Sequence, residues 1–241
     1  MMMSHASALT LEALREASER WVRRERMRPR LTSGLATLDT LLGGGWPQGK
    51  VGELVGPASS GRSAVAAATV AGATTRGEVV AWLDLADALD PASAAATEVD
   101  LQRVLWVRPR GVEEAIRAAE LVLEVGGFTV VVLDFGAGAL SVGGRRGRGQ
   151  SALRLRLVRA VERAGTVALV LAEHPWVGTL AGVTVVLGRG EVRWGVCGEH
   201  RWLAGLDLKA RVERGGVEHG ARTPCVHAGQ GSRPPGEAAT G

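Results

Sequence analysis

"VGELVGPASSGRSAVAAATVAGAT", residues 51–74, reads as a buried strand, a glycine-framed turn and a helix of small apolar residues. The turn, "GPASSGRS" (56–63), meets the pattern G-x-x-x-x-G-K-[ST] at every fixed position but one, because Arg62 stands where the lysine belongs. Such a loop works because its glycines let backbone N–H groups point inward, the following helix offers its positive end, and a lysine reaches the outer phosphates. Gly56 and Gly61 keep that frame, with Ser59 and Ser60 inside it, and Ser63 keeps a hydroxyl that could ligate magnesium. Two readings of the stretch stand: a site for ATP and magnesium, or a structural turn that has kept the shape and given up the chemistry.

Outward from the loop, apolar strands alternate with helices. Strand "EVVAWLDL" (78–85) is followed by helix "PASAAATEV" (91–99), strand "RVLWVR" (103–108), helix "VEEAIRAAELVLEV" (112–125) and strand "FTVVVLDF" (128–135). Helix "SALRLRLVRAVERAG" (151–165) and strand "TVALVLA" (166–172) continue the rhythm. This order predicts an α/β fold, a mostly parallel sheet covered by helices on both faces. Asp134 ends the strand "VVVLD" about 70 residues after the loop, where a nucleotide site needs an acid. The strands near the end, "GVTVVLGRGEVRWGV" (182–196) and "RWLAGLDLKARVER" (201–214), alternate at period two and predict an antiparallel extension.

Before this core, "TLEALREASERWVRRERM" (10–27) predicts an amphipathic helix. Beyond residue 214, glycine, proline, serine and histidine dominate and predict a disordered tail. The expected organisation is thus a basic helical segment at 1–31, a core at 32–213 and a tail at 214–241. The apolar runs are shorter than a membrane span, and Cys197 and Cys225 lack partners at metal-ligand spacing. The expectation is a soluble cytoplasmic protein, at the nucleoid if it meets DNA.

Only Lys50 and Lys209 are lysines among 29 basic residues. A drift toward arginine spares lysines that chemistry demands, so Arg62 points to weak demand for an ammonium there. Positive charge is concentrated in "RWVRRERMRPR" (20–30), with Arg20, Arg23 and Arg24, and in "RRGRGQSALRLRLVR" (145–159), with Arg145, Arg146 and Arg148. Each is a solvated face or a contact with nucleic acid or an acidic protein surface.

The run "TSGLATLDTLLGGGWPQGKVGELVGPASSGRS" (32–63), followed by "AWLDLADALDP" (81–91) and "VVVLD", resembles the core of the RecA recombinase family in order and spacing, over about residues 32 to 190. The "GGGWPQG" turn and the short remainder are most similar, within it, to the ImuA group of accessory proteins of mutagenic translesion synthesis. The resemblance implies a RecA-like P-loop core, a nucleotide site at Gly56, Ser59, Ser60, Gly61, Arg62, Ser63 and Asp134, and magnesium on Ser63 and Asp134 if nucleotide binds. It also implies a glutamate that activates water, and the aligned position holds Ala86, flanked by Asp84 and Asp87. A sensor glutamine and a long DNA-gripping loop follow "TVALVLA" in the family; here Glu173 and a short turn follow it. Arginines 145, 146 and 148 fall where a second DNA-contacting loop belongs. These departures imply a degenerate ATPase with no catalytic residue, active in the SOS response by contact with RecA, an ImuB-like polymerase homologue or itself. The alternatives are a DNA-dependent ATPase and an arginine-mediated DNA-binding protein. The helix at 10–27 either engages another RecA-fold subunit or packs on its own domain.

Overall fold

The computed structural model describes residues 11–136, 148–197, 200–216 and 225–228. Leading into the core are α1 (Leu11–Arg26), β1 (Arg30–Leu31), α2 (Ala36–Leu42) and β2 (Trp46–Pro47). The alternating part then runs β3 (Val51–Val55), α3 (Arg62–Thr75), β4 (Val79–Asp84), α4 (Pro91–Ala96), β5 (Val104–Val107), α5 (Val112–Val125), β6 (Phe128–Asp134), α6 (Arg148–Ala164) and β7 (Val167–Ala172). Four strands follow: β8 (Val183–Gly188), β9 (Val192–Cys197), β10 (His200–Arg214) and β11 (Cys225–Ala228). The sheet order is β11-β10-β8-β3-β7-β6-β4-β5, with β9 paired to β10. From β8 to β5 every pairing is parallel, and β10 pairs antiparallel with β8, β9 and β11. This is the α/β sheet with an antiparallel extension that the patterning predicts.

Period-two alternation divides the strands between two cores. Val130 and Val132 of β6, with Leu169 and Leu171 of β7, pack with α3 residues such as Val65 and Val70. Val131, Leu133, Ala168 and Val170 pack on the other face with Ile116 of α5 and Leu157 and Val161 of α6. A sheet buried on both faces accounts for strands that are apolar at nearly every position.

One expectation is corrected here. Arg214 ends β10, and Cys225–Ala228 pairs with Leu206–Lys209, so those residues of the expected tail belong to the sheet. An edge strand as long as β10 offers unpaired backbone groups, and ladder hydrogen bonds form there whatever the local composition. The remaining tail residues lie outside the described ones. Trp46, Trp82 and Trp176 are buried packing residues, and Trp106 sits on the edge strand β5.

Candidate functional site

The loop leaves β3 at the C-terminal rim of the sheet. Gly56 donates its N–H to Ala172 O of β7 at 3.2 Å, and a Cβ there would lie 2.4 Å from Leu187 O. Gly61 caps α3 at φ 90°, and a Cβ on it would meet Leu208 Cδ2 of β10 at 2.4 Å. Sterics and backbone conformation both require glycine at 61. Ser59 also bends the chain at φ 62°. Arg62 begins α3 and is only 9% exposed; its Nη1 is enclosed without a hydrogen-bond partner, and so is the Ser60 hydroxyl.

Asp134 ends β6 directly beside Asp84, which ends β4 in register with it. Both are almost fully buried. Asp134 accepts the Gly136 N–H at 2.9 Å. Burial pushes its carboxyl up from the ordinary range; the Gly136 N–H opposes this, the Asp84 charge reinforces it, and Arg62 and a hydrogen bond from Ser63 pull it back. The fold therefore brings Ser63 and Asp134 together. Those two oxygens fit a magnesium ion that arrives with phosphates and water, since the ion takes six ligands. They do not build a resident metal site, and no cluster of three or more metal-ligating side chains occurs among the described residues.

The position of the water-activating group is different. A Cβ on Gly136 would lie 2.3 Å from Ala86 Cβ, so position 86 presents a bare methyl beside the end of β6. Asp84 is committed elsewhere: Oδ1 accepts the Ala88 N–H at 3.0 Å, and Oδ2 accepts the Leu89 N–H at 2.9 Å and Trp106 Nε1 at 3.3 Å. Asp87, at φ 51°, pairs with Arg108 at 3.4 Å, and that guanidinium stacks over Trp106 at 4.9 Å. One acid is a backbone clamp and the other belongs to a surface pair.

The basic positions do not gather round the loop. Arg28 of the segment after α1 donates to Gln48 O at 3.0 Å, just before β3 begins, whereas the loop follows its end. A five-residue strand separates those points by about 16 Å. Arg20 is exposed and paired with Glu16 at 3.3 Å, Arg23 is exposed, and Arg24 belongs to the same helix. Arg145 and Arg146 lie outside the described residues, and Arg148 is the first residue of α6. Glu173 and exposed His174 follow β7 on the loop's rim.

Two features escaped the sequence reading. Glu53, fully buried in β3, accepts the N–H groups of Trp176 at 2.7 Å, Val177, and Gly178 at 3.1 Å, with Thr184 Oγ1 at 3.4 Å. It anchors the turn after β7, and burial pushes its carboxyl up against those four hydrogen bonds. A lone glutamate inside "VGELV" is the signal that could have found it. Arg154 of α6 lies over Trp176 at 5.7 Å, and Trp176 meets Phe135 edge-on at 5.0 Å. Nothing in the local sequence announces that cluster.

Residues 23–170, more than half of the chain, match the RecA N-terminal domain family. Protein RecA of Lactobacillus delbrueckii subsp. bulgaricus is 35% identical over 142 residues, covering 56% of this chain and 43% of that protein. Protein RecA of Nocardioides sp. is 36% identical over 143 residues, covering 58% and 41%. Protein RecA of Picosynechococcus sp. is 34% identical over 131 residues, covering 53% and 38%. The chain thus spans about two fifths of the length of these curated relatives.

Proposed function

Because the chain belongs to the RecA N-terminal domain family, we propose that it is a RecA-like accessory protein of DNA repair that acts by contact rather than by ATP hydrolysis. The observation that carries this reading is the state of the acids. Ala86 supplies no base, Asp84 is consumed by Ala88, Leu89 and Trp106, and Asp87 faces Arg108. A positioned general base is worth about 10²- to 10⁴-fold in rate, so its loss leaves binding as the retained capacity of the fold. Within the family, the "GGGWPQG" turn and the short remainder resemble the ImuA group, and that resemblance supports a role in SOS-linked, error-prone translesion synthesis. Its partners there are RecA, an ImuB-like polymerase homologue and a second copy of itself. The helix α1 suits that role: its residues from Arg15 to Arg20 are exposed, as are Val22 and Arg23, and Met27 just beyond it is 74% exposed.

The test is capture of purified RecA and of an ImuB-type polymerase homologue on the full chain, beside an ATPase assay with and without single-stranded DNA. Association with turnover at background supports the proposal. Failure to bind either partner or itself removes it. The juxtaposition of Ser63 with Asp134 favours one competing reading, a working DNA-dependent ATPase with magnesium. DNA-stimulated turnover abolished by Asp134→Ala would establish that one instead.

A further inference from the structure

We propose that a cleft at the rim opposite the loop is a docking site for a protein segment that carries aliphatic side chains beside carboxylates. Because α6 follows β6 and leads into β7, it runs antiparallel to both, and its last turns stand where β3 and β8 begin and β10 ends. There α6, residues 179–182 and the end of β10 enclose a cleft of about 680 Å³. Its apolar part offers Leu155 and Leu180, 37% and 42% exposed, beside buried Val158 and Ala181. Two such leucines alone would be ordinary surface, and the charges around them give the cleft its preference.

Three acids line the cleft, and each is paired within this chain: Glu162 with Lys50 at 2.9 Å, Glu25 with Arg28 at 3.3 Å, and Glu213 with Arg211. Arg30 gives its Nη1 to Leu42 O at 2.7 Å and Gly45 O at 3.0 Å. Along α6, Arg154 is held by Gln150 and Trp176, and Arg156 by Glu120. Arg159 and Arg214 remain, exposed on two different walls of the cleft and without an acidic partner among the described residues. Two surplus cations beside two exposed leucines complement carboxylates flanking an aliphatic residue. A nucleic-acid strand fits worse. Its phosphates would meet Glu25, Glu162 and Glu213 on the same walls, and its bases would find no aromatic side chain to stack on among the lining residues. The inference goes beyond the contact role proposed above, since it names a surface and a partner chemistry that hold whether or not the partner is RecA.

Selection of a random peptide display library on the full chain, followed by anisotropy titration of the enriched peptides, tests it. Enriched peptides are expected to carry Asp or Glu next to Leu, Ile or Met. Arg159→Gln and Arg214→Gln should each weaken them a few-fold and together by about tenfold, the scale of two exposed ion pairs. Leu180→Ser should weaken them several-fold through lost apolar contact. Arg163→Gln, at an exposed arginine of the same helix outside the cleft, changes the charge equally and should leave affinity unchanged. All four replaced side chains are exposed, so the variants should fold, which circular dichroism checks. Four results would overturn the proposal. They are no enrichment of acidic, aliphatic peptides, unchanged affinity in the double arginine variant, equal weakening by Arg163→Gln, or displacement of the peptides by single-stranded oligothymidylate that the double variant no longer binds. The last would make the cleft a nucleic-acid site. Capture of RecA is read separately, so either result can fail while the other stands.

Discussion

Two segments of one rim, separated by β7 and β6, hold their polar groups in different ways. Gly56–Ser63 keeps the geometry of a phosphate loop, with glycine required at 61 by the packing of Leu208. Asp84–Leu89 commits its carboxylates to other contacts, since Asp84 clamps the backbone of the turn and Asp87 pairs with Arg108. A loop frame is held by main-chain conformation and close packing, so it does not hang on any one polar side chain. A general base depends on one side chain in one place, and position 86 carries only a methyl.

The contrast can be broken from the loop side first. Leu208 is fully buried against Gly61, so Leu208→Ala should destabilise the fold by about 3 kcal/mol, within the usual range for a buried leucine. Chemical denaturation measures it; a loss below about 1 kcal/mol would mean that β10 does not brace the loop. On the acid side, Asp84→Ala strands three part-buried donors around a buried carboxylate and should cost about 2 kcal/mol. A variant as stable as the parent would free Asp84 for catalysis and erase the difference between the two segments.

A smaller effect sharpens the comparison through pH. Glu53 lies in the strand that feeds the loop, and its carboxyl is raised above 4.5 by burial. A carboxyl raised in the folded state contributes stability that is full below its unfolded value and is lost as pH rises through its folded value. Glu53→Gln does not titrate. The stability difference between the variant and the parent should therefore shift toward the variant as pH rises from below 4.5 toward neutrality. Denaturant unfolding across that window checks the sign. A shift toward the parent would mean that the amides of Trp176, Val177 and Gly178 outweigh burial.

The sheet was legible because its causes are local and periodic: "FTVVVLDF" and "TVALVLA" are apolar at almost every step, as strands covered on two faces must be. The loop was legible because fixed glycines stand at fixed spacing. What stayed hidden depends on residues far apart in the chain. Leu208 lies well over a hundred residues from Gly61, and no pattern around either predicts their contact. Cys225–Ala228 looked like tail because composition carries no information about an open sheet edge waiting beside it. Ala86 could be read as a loss, but the sequence left Asp84 and Asp87 as replacements. Hydrogen bonding separates them, and it is visible only once β4, β5 and β6 are side by side.

That separation yields the smallest effect and a clean control. Asp87 and Arg108 are exposed, at 67% and 62% for their side chains, and joined at 3.4 Å. Water and salt screen such a pair, so Asp87→Ala should change stability by less than about 0.5 kcal/mol. Both aspartates lie in the same short stretch and carry the same charge, yet their removal should differ severalfold in cost, because one charge is enclosed by donors and the other is solvated. If the two variants cost the same, burial is not what distinguishes them. If Asp87→Ala instead abolished a measurable ATP turnover, Asp87 would be the base and the rim would still be an enzyme's.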